Sequence, residues 1–405
     1  METHIFICGA KSLGQYGGYE TFVDKLTQYH QDRADLHYHV MCKANGVGSI
    51  DESGLAGAEK RNDREFLYHN ARCVKLRVPR IGPAAAIWYD VAALRYCLRY
   101  CRKHQIQRPI FYLLACRVGP VMGLVKKRVH ALGGVVYDNP DGHEWMRAKW
   151  PLPVRKYWKL SERLTVKHAD LVICDSRFIE SYIQKTYASF HPRTAYLAYG
   201  AELEPSPLSD SAPRFADWLS RWDVKPFAYY LAVGRLVPEN NYETILREFM
   251  ESDTCRALIL ITDRNDKMLR RLEEMLHFSG DPRIRFAGTV YDEVLLYKIR
   301  ENAYAYLHGH SVGGTNPSLL EAMAATKVNL LYDVVFNREA GGDAALYWQK
   351  EPGSLRALIQ RAEEMPEAER EALGRKAKAR VGENYRWQTI ADQYAALWRA
   401  AFVGK

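Results

Sequence analysis

The chain is 405 residues long, with 47% hydrophobic and 26% charged residues, which fits two folded domains better than one core and excludes a disordered polymer. No run approaches the ~18 consecutive apolar residues of a membrane span. The formal net charge of +9 is one-sided: residues 1–205 carry 30 Lys and Arg against 20 Asp and Glu, the remainder 27 against 28. The basic half points to an anionic partner, with an unpartnered solvated face as the alternative. Eight cysteines are scattered without a CxxC pair or zinc-like spacing, so they read as buried thiols of a reducing compartment. The start, Met1–Cys8, runs straight into a strand pattern without a basic leader. A cytoplasmic protein without a signal peptide is expected.

Short β-rich runs alternate with longer helical stretches, the pattern of parallel α/β sheets. In chain order the first half predicts strands at Ile5–Gly9, Tyr38–Cys42, Val74–Val78, Ile110–Leu114, Val135–Asp138 and Leu171–Cys174, and helices at Glu20–His30, Ala85–Lys103 and Val154–His168. The segment Glu204–Pro213 is rich in Pro and Ser and reads as a linker. The pattern restarts with Ala228–Val233, Ala257–Ile261, Ile284–Phe286, Tyr304–Leu307 and Val328–Leu331, and the tail from Leu355 is helical. This gives a Rossmann-like domain over 1–204, a linker over 205–213, a second such domain over 214–385, and a helix over 386–405 that packs back on the first. Ligands are expected at the carboxyl ends of the strands, in a cleft between the domains.

Four segments carry the chemistry. After the first strand, Gly14, Gly17 and Gly18 form a loop whose amides can approach a ligand; its spacing is not the dinucleotide fingerprint, and plain turn chemistry is the alternative. Gly234-Arg235 ends a strand, where a guanidinium fork can meet a diphosphate or form a surface salt bridge. His308–Met323 reads as a strand, a Gly-Gly-Thr-Asn-Pro turn and a helix whose first amides suit a phosphate, with an ordinary capped helix as the alternative. Glu321, one turn in, can accept hydrogen bonds from ribose hydroxyls. In Tyr137–Trp150, Asp141, His143 and Glu144 share a loop with two tryptophans, an acid/base or sugar site as against a packed polar loop. Arg95, Arg99, Arg102 and Lys103 lie on one side of the Ala85–Lys103 helix, as a membrane-facing surface or as snorkelling arginines over a sheet.

Together these pieces resemble glycosyltransferase family 4, the retaining GT-B enzymes: a Gly-Gly loop, then Gly234-Arg235, then the Glu321-Ala-Met helix. The strings Gly17–Phe22, Asn139–Trp145 with Arg147–Trp150, Cys174–Ser176, Pro238–Asn241 and His310–Ser318 look closest to the bacterial β-1,4-rhamnosyltransferases of cell-wall and capsule polysaccharides. The resemblance implies an α/β GT-B fold, two Rossmann-like domains facing a central cleft. It implies a dTDP-rhamnose donor held by Arg235, Asn240, the Gly288–Val290 turn, the amides of Gly314, Thr315 and Asn316, and Glu321, with Gly17 and Gly18 closing from the other domain. The implied acceptor is a sugar on a polyprenyl diphosphate, with peripheral contact to an anionic membrane at its cytoplasmic face. Two positions depart from the family: Asn240 stands where many members carry Lys, and Gly313 where many carry the first Glu of EX7E.

The expected reaction is metal-independent and needs no cofactor. Arg235 and helix-start amides stabilise the leaving diphosphate, whose oxygen takes the acceptor proton as attack occurs on the same face. Asp141, His143, Glu144, Asp175 and Tyr199 are the candidates for orienting acceptor or sugar. The alternatives are a UDP-glucose or UDP-N-acetylglucosamine donor, or a catalytically silent GT-B scaffold. No nucleic-acid module is recognised.

Overall fold

The computed structural model describes residues 2–14, 17–82, 84–147 and 150–402. The chain forms two compact units. The first takes the chain up to Met146, Trp150–Tyr199 and the stretch from Trp387; the second takes Gly200–Arg386.

In the first unit the strands are β1 (Thr3–Cys8), β2 (Leu36–Lys43), β3 (Glu59–Asn62), β4 (Glu65–Tyr68), β5 (Ala71–Leu76), β6 (Ile110–Leu114), β7 (Val135–Asn139), β8 (Leu171–Cys174) and β9 (Thr194–Tyr196). They form one sheet in the order β3-β4-β5-β2-β1-β6-β7-β8-β9. From β5 to β9 all neighbours are parallel, with Ile5 level with both Tyr38 and Ile110. The inner strands read as unbroken apolar runs because helices cover both faces. Those helices are α1 (Gly18–Tyr29), α2 (Ala84–Lys103), α3 (Gly119–His130), α4 (Leu152–His168) and α5 (Arg177–Thr186). On one face Phe6, Phe111 and Val136 pack with Leu94 and Cys97 of α2 and with Met122 and Val129 of α3.

The antiparallel β3–β4 hairpin was not expected from sequence. Glu59-Lys-Arg-Asn62 is exposed along its whole length, so an edge strand of this kind carries no apolar alternation to betray it.

The second unit holds β10 (Tyr229–Val233), β11 (Ala257–Ile261), β12 (Ile284–Phe286), β13 (Ala305–His308), β14 (Asn329–Tyr332) and β15 (Leu346–Trp348). The order is β12-β11-β10-β13-β14-β15 and every pair is parallel. Around it lie α6 (Pro213–Arg221), α7 (Tyr242–Met250), α8 (Asp266–Leu276), α9 (Glu293–Glu301), α10 (Pro317–Ala325), α11 (Val335–Gly341), α12 (Ser354–Glu364) and α13 (Glu367–Asn384). Tyr230, Leu258, Leu307, Leu330 and Trp348 pack on Ile245, Phe249 and Ile359 in its core. The Pro/Ser-rich segment read as a linker is held by this unit: Ser206 donates from N to Glu301 Oε1 (2.9 Å) and from Oγ to the Val294 carbonyl (2.9 Å).

The last helix, α14 (Trp387–Ala400), belongs to the first unit. His30 Nε2 donates to the Ala391 carbonyl (2.8 Å), Trp398 Nε1 donates to Tyr38 Oη (2.8 Å), and Tyr112 and Tyr394 hydroxyls meet at 3.1 Å. Buried Trp and Tyr take such partners because an unsatisfied polar tip in a core is costly. Among the described residues no helix is long and apolar enough to cross a membrane.

Candidate functional site

The parallel strands of each sheet reverse their order once, and ligands of doubly wound folds bind at the carboxyl ends of the strands flanking that reversal. In the second unit the reversal falls between β10 and β13. Two loops meet there, 234–241 after β10 and 309–316 after β13.

Asn240 ties these loops together. Its Nδ2 donates to the Arg235 carbonyl at 2.7 Å and its Oδ1 lies 2.7 Å from His310 Nδ1. Since the amide nitrogen is committed, the imidazole donates from Nδ1. Burial holds His310 well below the ordinary histidine range, so it serves as a neutral donor. Asn241 Nδ2 donates to the Gly309 carbonyl (2.7 Å) and Ser311 donates to the Glu239 carbonyl from N (2.9 Å) and Oγ (2.7 Å). A Cβ on Gly309 would stand 2.1 Å from the Asn240 carbonyl oxygen, so only glycine lets the two backbones approach this closely. Asn240, expected as a donor contact, is thus occupied in fastening one loop to the other.

Arg235 is exposed and its guanidinium makes no ion pair or hydrogen bond among the described residues. The 309–316 loop ends in Asn316, whose side chain accepts from the amides of Ser318 (2.9 Å) and Leu319 (3.4 Å). Pro317 has no N–H to offer. The first amides of α10 are therefore occupied by a side-chain cap, as in the capped-helix alternative. Gly313 has φ +143°, a backbone where side chains are strained. That is a physical reason for glycine where the resemblance would place glutamate.

Glu321 forms an ion pair with Arg300 (2.6 Å), whose side chain is 2% exposed against 20% for the glutamate. The contact is out of hydrogen-bond alignment, so Glu321 Oε2 has no hydrogen-bond donor among the described residues. Arg300 also donates to Ser318 Oγ (3.1 Å). Val290 follows β12 at the same end of the sheet, in a loop where Thr289 Oγ1 donates to the Thr262 carbonyl beside the end of β11 (3.3 Å). Glu239, which sequence reasoning missed, is buried with neither carboxylate oxygen hydrogen-bonded among the described residues. It precedes Asn240 in the same turn, a signal readable only once that turn is known to sit at the reversal.

In the first unit the reversal lies between β1 and β6. Gly17 and Gly18 lead into α1; Gly17 N donates to Thr21 Oγ1 (3.4 Å) and its carbonyl accepts from the Thr21 amide (2.8 Å). Gln15 and Tyr16 of this loop, like Ala148 and Lys149 of the tryptophan-bearing string, lie outside the described residues. Arg117, after β6, forms an ion pair with Asp90 (3.0 Å) and donates to the Gly9 carbonyl (2.9 Å).

Asp141, Asp175 and Tyr199 gather at the ends of β7, β8 and β9. Tyr19 from α1 joins them, its hydroxyl donating to Asn139 Oδ1 (3.5 Å). Burial pushes both Tyr19 and Tyr199 far above the ordinary phenol range, and both feel the charges of Asp141 and Asp175. These tyrosines are neutral hydroxyl donors beside two carboxyls, an arrangement able to orient hydroxyl groups of a sugar. Asp141 adopts φ +59° and accepts from the Gly142 amide (2.9 Å). The His143 ring packs edge-on to Tyr182 at 4.2 Å, with burial lowering its basicity, and Glu144 accepts from Trp150 Nε1 (2.8 Å). Tyr19 and Asn139 stood inside strings read from the sequence but were given no role there, and Arg117 and Arg300 belong to no local motif.

The entire chain is similar in structure to known enzymes. A sucrose-phosphate synthase from Thermosynechococcus elongatus aligns over 100% of both chains with a TM-score of 0.77 at 17% identity. HepE from Anabaena, in complex with UDP and glucose, aligns over 99% of this chain and 100% of its own, with a TM-score of 0.71 at 14% identity. The chain has the GT-B fold. An α,α-trehalose-phosphate synthase (UDP-forming) from Burkholderia vietnamiensis covers 98% and 100%, with a TM-score of 0.68 at 13% identity. Residues 2–202, nearly coincident with the body of the first unit, match a family described as a domain of unknown function (DUF1972). No curated protein matches the chain.

Proposed function

We propose that this protein is a retaining glycosyltransferase that takes a nucleoside-diphosphate sugar on its second unit and a sugar acceptor on its first. The observation that most directly supports this is Arg235, exposed and uncommitted at the strand reversal, in the loop fastened to Gly309, His310 and Ser311 ahead of the Gly313–Asn316 turn. Arg235 offers a planar fork to the diphosphate, and the turn amides add preorganised donors where charge develops. The Glu321 carboxylate, charge-balanced by Arg300 and 20% exposed, suits a ribose hydroxyl. As the bond from the anomeric carbon to the phosphate oxygen breaks, the acceptor oxygen bonds to that carbon from the same face. Its proton passes to the departing phosphate oxygen. No carboxylate nucleophile is needed, unlike the paired-carboxylate glycosidases, and charge neutralisation by Arg235 makes a metal dispensable. Asp141, Asp175, Tyr19 and Tyr199 orient the acceptor or sugar, while His143 and Glu144 shape the loop that carries Asp141.

The donor we favour is dTDP-β-L-rhamnose, on the strength of the strings around Gly17, Asn139, Pro238 and His310. The acceptor would be a lipid-diphosphate-linked sugar at the cytoplasmic face of the membrane, in cell-surface polysaccharide synthesis. A UDP-sugar donor is the second reading, favoured by the UDP and glucose in the HepE structure and the UDP-forming synthase. Calorimetric titration with dTDP, UDP, GDP and ADP, with and without magnesium, tests both. Tightest binding of dTDP without magnesium, reduced at least ~30-fold in Arg235→Ala by loss of a charge-assisted bidentate contact, supports the reading. Tighter UDP binding moves it to the second reading, and binding of no nucleotide by folded protein overturns the enzyme.

A further inference from the structure

The first unit carries a groove of about 880 Å³ between α2 and the β4–β5 edge, away from the strand reversal. Its walls include Arg64, Arg77, Arg95 and Arg99, all exposed. The acidic groups nearby are already engaged. Glu65 pairs with Arg72 and accepts from Tyr96 Oη (3.0 Å), and Asp63 pairs with Lys60 (3.1 Å). Lys75, also in the wall, is matched by Glu52 (2.6 Å). The four arginine side chains make no ion pair or hydrogen bond among the described residues, so four positive charges converge on one groove uncompensated.

The lining is not wholly polar. Trp88, Ala92, Arg95 and Arg99 recur at helical spacing and present one face of α2 to the groove. Trp88 is 42% exposed, and Ile81, in the segment between β5 and α2, is 47% exposed. Arg80 beside Ile81 is exposed too. A site for a soluble anion has no use for exposed Trp88 and Ile81. Apolar side chains set among arginines fit the boundary where lipid headgroups meet acyl chains.

We propose that this groove binds the phosphate-bearing headgroup of a membrane lipid, the arginines gripping phosphate oxygens while Trp88 and Ile81 enter the headgroup layer. This deepens the lipid-linked acceptor reading by naming the surface that meets the membrane, and it rests on that reading only for its biological purpose. Each arginine near an anionic surface contributes to binding independently of the nucleotide site.

The test is co-sedimentation of the full chain with phosphatidylcholine vesicles, plain or containing roughly one-third phosphatidylglycerol, at low salt. The protein partitions onto the anionic vesicles only, and Arg95→Ala/Arg99→Ala reduces the partition coefficient roughly 30-fold, at about five- to sixfold per arginine. Trp88→Ala weakens it further without changing its salt dependence. Both variants alter exposed side chains and keep wild-type nucleotide binding in calorimetry, so loss of vesicle binding is separable from loss of the donor site. Failure of the wild type to bind anionic vesicles overturns the proposal, as does equal binding by the double arginine variant. Displacement from vesicles by inorganic pyrophosphate at low concentration, with constant ionic strength, overturns it in favour of a soluble phosphate ligand.

Discussion

Arg300 and Glu321 allow the structural and ligand-binding roles of one carboxylate to be separated. Their 2.6 Å contact joins a guanidinium that is 2% exposed to a carboxylate that is 20% exposed. Taking the charge centres as ~4 Å apart, the attraction at an effective dielectric near 20 is about 4 kcal/mol. Desolvation of two buried ions costs several kcal/mol each, so the intact pair is close to neutral against an apolar replacement. Removing one partner is different, because the other stays buried and uncompensated. Arg300→Met or Glu321→Met should each lose ~3–5 kcal/mol, about 10 °C in melting temperature for a unit of this size. The double variant should recover to within ~1–2 kcal/mol of wild type.

Thermal unfolding of the four proteins measures this coupling, and calorimetry with the preferred nucleotide gives the second readout. Under the proposed role of Glu321 the double variant regains stability but not affinity, since no carboxylate remains for the ribose. Additive single losses in stability would refute the buried-pair reasoning. Full recovery of affinity in the double variant would show that Glu321 only supports the fold.

Asp138 should give a pH signature. It is fully buried, its Oδ2 accepts from Cys116 Sγ (3.3 Å), and burial raises its carboxyl from 3.8 to about 7. A folded-state pKa above the unfolded value means that the native protein keeps a proton the unfolded chain releases. Stability from this group is present below pH 3.8 and falls as pH rises to about 7. Asp138→Asn should therefore be more stable than wild type near about pH 8, by up to ~4 kcal/mol, with the advantage shrinking toward about pH 5; melting curves showing an advantage independent of pH would count against it. Gly309→Ala places a Cβ at 2.1 Å from the Asn240 carbonyl, where real contacts stay beyond 3.0 Å. The Asn240 turn must retreat by nearly 1 Å, costing ~1–3 kcal/mol in overpacking and at least ~10-fold in nucleotide affinity through misplacement of Arg235. Unchanged calorimetric affinity would show that this loop is not part of the nucleotide site.

Much of this architecture was legible in local pattern. The runs around Ile5, Ile110, Tyr229 and Ala257 are short, apolar and bounded by turns, and parallel strands buried on both faces need no more than that to be read. The turn into α10 was equally plain, because Gly-Gly-Thr-Asn-Pro specifies its own cap. Strands β3, β4 and β15 were not legible, being short or exposed. In the candidate site, Arg235 and Glu321 stood out by their spacing. The commitment of Asn240 to the loops did not. Tyr19 meets Asn139 across 120 residues of chain, and Arg300 finds Glu321 from another helix.

Sequence by itself thus determined the buried parallel strands, that two doubly wound halves follow one another, and where the glycine turns fall. These follow from the propensities and hydrophobic periodicity of neighbouring residues. Which carboxylates are buried, which amides are occupied, and which arginines are left unpaired were decided only by the tertiary structure. Each depends on desolvation and on partners brought near by strand order, and neither quantity is a property of residues adjacent in the chain.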